Sequence, residues 1–219
     1  QPAERRFGLT RACLQVLAEF RNPVAIVTKN HLVTRDIDLL TELAAFDAAK
    51  VMLSVTSLDE KIQRVMEPRT STPKRRLEAI EKLAKAGIPV GVMAAPIVPG
   101  LTDHEIPGIV AAAADAGART AAFIPVRLPY GVKELFEQWL GVHFPDRKEK
   151  VLNRVRAIRG GKLNDPRFGN RMHGEGIFAE QMRAVLSGFE RILSQHPKTE
   201  PGSVSVRFVG LAASSLEVE

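Results

Sequence analysis

The sequence predicts an α/β protein built on parallel strands, and three observations carry that reading. Four short runs rich in β-branched residues recur within the first 126 positions, and each follows a stretch of helical period. The connections are long enough for crossovers that return the chain parallel to its previous strand. Aromatic residues make up only 5% of a chain that is 45% hydrophobic, so the core must come from Val, Ile, Leu and Ala. That composition suits helices packed on a sheet better than a β-sandwich.

The elements follow in order. TRACLQVLAEF reads as an amphipathic helix, with Cys13 as a small buried thiol within it. Strands are expected at Pro23 to Thr28, Lys50 to Val55, Ile88 to Ala94 and Thr120 to Val126. Between the first two lies a helix from Arg35 to Phe46, with Ile37, Leu40 and Leu43 on one face. The next runs from Lys74 to Ala86, with Thr72 as its cap, Pro73 in its first turn and Gly87 just past its end. Gly117 closes the following helix in the same way. From Asp146 the chain becomes a basic helix (KEKVLNRVRAIR), then a Gly-rich loop from Gly160 to Gly176, then a helix from about Ile177 to Gln195. We therefore expect an α/β unit over 1–145, a basic helical extension over 146–196 and a mobile tail over 197–219.

Apolar strands flanked by helices suit either a doubly wound sheet or a (β/α) barrel, and spacing does not separate the two. Both place their chemistry at strand C-terminal ends, which here carry Lys29, Ser54, Thr56, the Ala95-Pro96 pair and Arg127. Neither a G-x-G-x-x-G nor a Walker-type loop is present, which weighs against a dinucleotide or P-loop fold.

Cys13 is the single cysteine, so no intramolecular disulfide or cysteine-based zinc site can form, and a reducing cytoplasm is the expected location. His31, His104, His143, His173 and His196 lack the spacing that brings two nitrogens to one metal, and no metal ligand is assigned. No apolar run reaches the ~18 to 20 residues that span a bilayer, so a soluble protein is expected. The chain opens at Gln1 and reads as a fragment or processed piece. Its net charge is +6. Between Arg147 and Arg171 nine Lys or Arg stand against two acidic residues, a segment that suits an anionic partner such as DNA. A solvated helix face explains it as well.

Three stretches together resemble the radical S-adenosylmethionine (radical SAM) proteins related to spore photoproduct lyase, the DNA repair photolyase-like family. They are VTKN (Val27 to Asn30), the block running through LSVTS, MEPRTST and RRLEAIEKLAKAGIPVGVMAAPI, and RFGNRMHGEGIF (Arg167 to Phe178). The resemblance implies part of a (β/α)6 barrel, S-adenosylmethionine and a [4Fe-4S] cluster as cofactors, and an external electron donor. It also implies that the first two strands and the C-x3-C-x2-C cluster loop lie upstream of Gln1, so this chain alone is expected to be inactive.

On the same resemblance, Lys29 meets the methionyl carboxylate, Ser54 and Thr56 serve the ribose or methionyl group, and Ala95 with Pro96 lets backbone amides approach the adenine. Arg127 and Arg171 would face the substrate. Met172 replaces a family tyrosine, which puts the spore photoproduct itself in doubt. Each residue also has a plainer reading: a solvated lysine, hydroxyls satisfying nearby backbone, a tight strand exit, a rim salt bridge. Glu67 matches the family, yet its carboxylate has no evident partner and is read as part of a turn. Lys74, Arg75 and Arg76 crowd a helix's first turn, where the dipole disfavours cations, so a nearby anion is expected.

The expected activity is that of a radical SAM enzyme, with repair of DNA as the implied task. Two other classes stay open: a Schiff-base aldolase using Lys29, and a basic nucleic-acid-binding module without turnover.

Overall fold

The computed structural model describes residues 2–167, 170–185 and 205–206. Two helices open the chain, α1 (Pro2–Phe7) and α2 (Leu9–Glu19). Strands β1 (Val24–Thr28), β2 (Ala49–Ser54), β3 (Val90–Ile97) and β4 (Thr120–Pro125) follow, all parallel and adjacent in chain order. Helix α3 (Ile37–Ala44) joins β1 to β2, α4 (Glu60–Met66) and α5 (Pro73–Lys85) join β2 to β3, and α6 (Ile106–Asp115) joins β3 to β4. Beyond β4 come α7 (Val132–His143), α8 (Lys148–Ala157), the short α9 (Asn170–His173) and a helix through 177–185. Four parallel strands with flanking helices and a helical C-terminal region form the partial barrel that the sequence suggests. Among the described residues no helix is long and apolar enough to cross a membrane.

Local chemistry fixes the element ends. The Thr72 hydroxyl accepts from the Arg75 amide, Pro73 fills the first turn of α5, and Gly87 leaves the helix at φ +75°. Asp59 caps α4 through the Lys61 amide at 2.7 Å. Asn30 caps the 3-10 turn His31–Asp36 through the Leu32 amide at 2.9 Å.

Alternation along the strands divides the molecule. One face of the sheet sends Val51, Leu53, Val90, Val92, Ala121 and Phe123 into a core with Leu40, Leu43, Ile80, Leu83, Ile109 and Val110 of the helices. Met52, Met93, Ala95 and Ala122 cluster on the other, inner face. Gly91 keeps that face closed: a Cβ there would meet the Thr120 hydroxyl at 2.1 Å and the Met52 sulfur at 2.6 Å. A further apolar cluster joins Val98, Leu101, Val126 and Leu128 to Phe136 and Leu140 of α7 and to Val151, Leu152 and Val155 of α8. The basic extension is thus packed against the loops at the strand C-terminal ends.

Two details depart from the sequence expectations. Cys13 is exposed, because α2 turns Leu14 and Ala18 inward and the thiol lies on the outer side with Leu9, Val16 and Phe20. In the segment expected to be a tail, Ser205–Val206 pairs with Thr120 and Ala121 as β5, and the rest of 197–219 lies outside the described residues. On its other side β1 carries no partner among the described residues, and Val27 on the inner face is 57% exposed.

Candidate active site at the strand C-terminal ends

Lys29, one residue past β1, reaches across the ends of the sheet to the Glu67 carboxylate, which follows α4. The Glu67 Oε2 atom accepts from Arg76 Nη2 at 2.6 Å, while Oε1 takes both Lys29 and the Thr56 hydroxyl, the latter at 2.8 Å. Glu67 and Arg76 are both buried, at 8% and 1% exposure. Burial pushes the Glu67 carboxyl up, yet the hydrogen bonds and charges of Lys29 and Arg76 outweigh it and hold the group below the ordinary carboxylate range.

Arg76 is the anchor of this cluster. Its Nε donates to the Ser71 carbonyl and its Nη1 to the Ser54 carbonyl, each at 2.8 Å, and Nη2 also reaches the Thr70 hydroxyl at 2.5 Å. The guanidinium therefore ties the end of β2 to the α4–α5 loop. Glu67 supplies an anion to Arg76 in the basic first turn of α5, while Arg75 pairs with Glu78 at 3.1 Å. Its main-chain carbonyl is itself held by Gln63 Nε2 at 2.9 Å and the Thr70 hydroxyl at 2.8 Å.

Ser54 and Thr56 are buried beneath this cluster. Both hydroxyls reach the Ala95 carbonyl, at 2.8 and 2.9 Å. Thr56 has one hydrogen for two acceptors, and the ionised Glu67 is the stronger of them. Ala95 precedes Pro96 through a cis peptide bond. Lys29, Glu67, Pro68, Arg69, Thr70 and Pro96 line an open cleft of about 440 Å³ over the strand ends. Four of the residues proposed from sequence, Lys29, Ser54, Thr56 and Ala95, thus form one connected network, joined by two that sequence reasoning left without a role, Glu67 and Arg76.

The backbone segments that carry the other two meet on the far side of β3. Arg127, just past β4, is exposed and its Nη1 lies 3.6 Å from the Met172 sulfur, beside Arg171. Among the described residues no carboxylate pairs with Arg127. Arg159 makes this juxtaposition. It is 2% exposed, and donates to the Val126 carbonyl and to the Arg171 carbonyl, each at 3.0 Å. The sequence reading made Arg159 the last residue of the basic helix KEKVLNRVRAIR, among charges that suit a solvated face. Helix α8 ends at Ala157, and Gly160 and Gly161 at φ +60° and +81° turn the chain so that Arg159 points inward. Arg154 of that helix is bound to Asp103 at 2.9 Å and lies over the Phe178 ring, leaving Lys150 as an exposed charge on α8.

A cluster of three thiolates is beyond this chain's own residues, since Cys13 is its single cysteine. Among the described residues no group of His, Cys, Asp and Glu is placed to hold a metal ion. The partly exposed Lys29 ammonium at this cleft does fit the carboxylate of an organic ligand.

Comparison with known proteins bears on the fold. An uncharacterized protein of Mycobacterium tuberculosis is 32% identical over 214 residues, covering 94% of this chain and 60% of the relative. One of Methanocaldococcus jannaschii is 31% identical over 105 residues, covering 48% of this chain and 39% of the relative. The chain thus spans about 60% of the length of the mycobacterial relative. Among solved structures, a spore photoproduct lyase variant with bound S-adenosylmethionine and dinucleoside spore photoproduct shares the fold at a TM-score of 0.56. It has 19% identity, over 92% of this chain and 56% of that one. Residues 6–113, which carry β1 to β3 and the Lys29 network, match the Radical SAM superfamily.

Proposed function

We propose that this chain forms the S-adenosylmethionine pocket and the substrate face of a radical SAM enzyme acting on damaged DNA. The observation that carries the reading is the convergence of Lys29, Thr56, Glu67 and the Ala95 carbonyl at the C-terminal ends of adjacent parallel strands. The iron-sulfur cluster and S-adenosylmethionine would together supply a 5′-deoxyadenosyl radical, with the cluster ligands and an electron donor coming from outside these 219 residues. Within the chain, Lys29 would take the methionyl carboxylate as a point charge on a flexible stem. Ser54 would keep the Ala95 carbonyl in place beneath it, and Thr56 would hold the Glu67 carboxylate. Arg127 and Arg171 would face the substrate, on segments that Met172 and Arg159 hold together.

The alternative of a Schiff-base aldolase is disfavoured by the Lys29 pairing. A nucleophilic amine must be neutral, whereas the Glu67 carboxylate engages this nitrogen as an ammonium. Titration calorimetry with S-adenosylmethionine tests the cofactor assignment: Lys29→Met should weaken binding about tenfold or more, and unchanged affinity would remove Lys29 from the site. For the substrate, binding to duplex DNA should weaken with salt. Lys150→Ala should lower the slope of log K against log salt by about one, and Arg154→Ala by less because Asp103 already neutralises that charge. Absence of any binding at low salt would end the DNA assignment and leave the radical chemistry standing.

A further inference from the structure

The Lys29, Glu67 and Arg76 side chains form a graded series. Their side-chain exposures are 34%, 7% and 1%, so the series runs from the open cleft to the interior. Arg76 is immobilised by acceptors on two elements, the Ser54 carbonyl at the end of β2 and Ser71 and Thr70 in the α4–α5 loop. Glu67 is fixed twice over, its carboxylate by Arg76 and Thr56 and its main-chain carbonyl by Gln63 and Thr70. Only Lys29 reaches solvent, and the carboxylate occupies one part of an ammonium that has three hydrogens to give.

The charges add to the argument. Glu67 is already neutralised by the buried Arg76, so a structural ion pair would be complete without a lysine. Lys29 brings a second cation to the same carboxylate, and the trio keeps one excess positive charge, placed at the mouth of the cleft. One excess positive charge matches one carboxylate.

We propose that Glu67 and Arg76 are positioning residues for Lys29: Arg76 fixes the Glu67 carboxylate, and that carboxylate holds the Lys29 ammonium where it meets the carboxylate of a bound amino-acid group. The proposal rests on the reading of this cleft as the S-adenosylmethionine site. It differs from that reading in assigning recognition to how the ammonium is held and not to its presence alone. Without Glu67 the lysine keeps its charge but loses its direction, so the preference for a carboxylate-bearing ligand should fall while the fold is retained.

The test compares S-adenosylmethionine with its decarboxylated analogue by titration calorimetry on the 219-residue chain, with thermal melting as the check on folding. The wild type should prefer S-adenosylmethionine by about tenfold or more, the effect of one charge-assisted hydrogen bond. Lys29→Met should abolish the preference, and Glu67→Gln should remove most of it although Lys29 is intact. Glu67→Asp keeps the charge near Arg76 but withdraws the carboxylate from Lys29, and it should lie between the wild type and Glu67→Gln. It carries the test alone should the glutamine variant not fold. Full preference in Glu67→Gln or Glu67→Asp, with loss in Lys29→Met, would overturn the positioning role and leave the cofactor site standing. Wild-type preference in Lys29→Met, or no binding by the wild type, would overturn the cofactor reading and this proposal with it.

Discussion

Two glycine-to-alanine substitutions should move stability in opposite directions, and the contrast tests how tightly the inner face of the sheet is packed. At Gly91 an added Cβ would lie 2.7 Å from the Thr120 carbonyl oxygen, besides its overlaps with the Thr120 hydroxyl and the Met52 sulfur. A carbon and a carbonyl oxygen meet without overlap at about 3.3 Å, so β3 and β4 must part by roughly 0.6 Å at that rung. Met52 can swing away, but the Thr120 backbone is fixed by its place in the ladder. Overpacking of this kind costs about 3 kcal/mol, and removing the conformational freedom of glycine returns about 0.5 to 1. The net loss of about 2 kcal/mol corresponds to a melting temperature lower by about 6 °C for a chain of this size. Gly108 in α6 is the control: its nearest atom would be Leu58 Cδ1 at 3.5 Å, an ordinary contact, so alanine there should stabilise by about 0.5 to 1 kcal/mol. Urea denaturation followed by circular dichroism reads both. Gly91→Ala at wild-type stability or above would refute the packing argument.

Acid should weaken the Glu67 cluster in a defined window. The folded carboxyl lies below its ordinary value of 4.5, so the folded state binds fewer protons there; the stabilisation is full above about pH 4.5 and lost as the pH falls through the depressed value. The stability gap between wild type and Glu67→Gln should therefore close below that pH, and a gap that widens would contradict the assignment. Arg159→Met should leave the Val126 and Arg171 carbonyls without their donor, speeding amide exchange across 170–173 while exchange at Val51 to Leu53 stays unchanged. Cys13 should react fully with a thiol reagent in the folded protein at no cost in melting temperature; slow reaction would place it inside.

The parallel sheet was legible because its signals are local. Apolar runs, helical periods and the Thr72-Pro73 start with its Gly87 stop each act over a few residues, and the strand limits shift by only a residue or so, apart from the longer β3. Lys29, Ser54, Thr56 and Ala95 were legible as a set because parallel strands bring their C-terminal ends to one edge. The partners of Glu67 were not, since Lys29 is 38 positions away and Thr56 is 11. A usable clue did exist: three cations at the start of α5 called for an anion, and Glu67 stands nine residues before Arg76. Cys13 and Arg159 failed for a related reason. Periodicity identifies a helix more securely than it orients every side chain, and it loses its authority where the helix ends.

Arg76 and Arg159 are both nearly inaccessible, and each secures a different half of the strand-end surface: Arg76 the β2 end and the α4–α5 loop, Arg159 the β4 end and the chain near Arg171. Among the described residues, the hydrogen-bonding partners given above for the two do not overlap. On the proposed assignment, cofactor recognition and substrate recognition would hang on separate fastenings, with β3 as the common wall between them. Such a layout lets the segment beyond Arg159 diverge, or be exchanged between relatives, without redrawing the pocket around Lys29. Changes in what this scaffold acts on are then expected to accumulate after β4, while the residues clasped by Arg76 stay fixed.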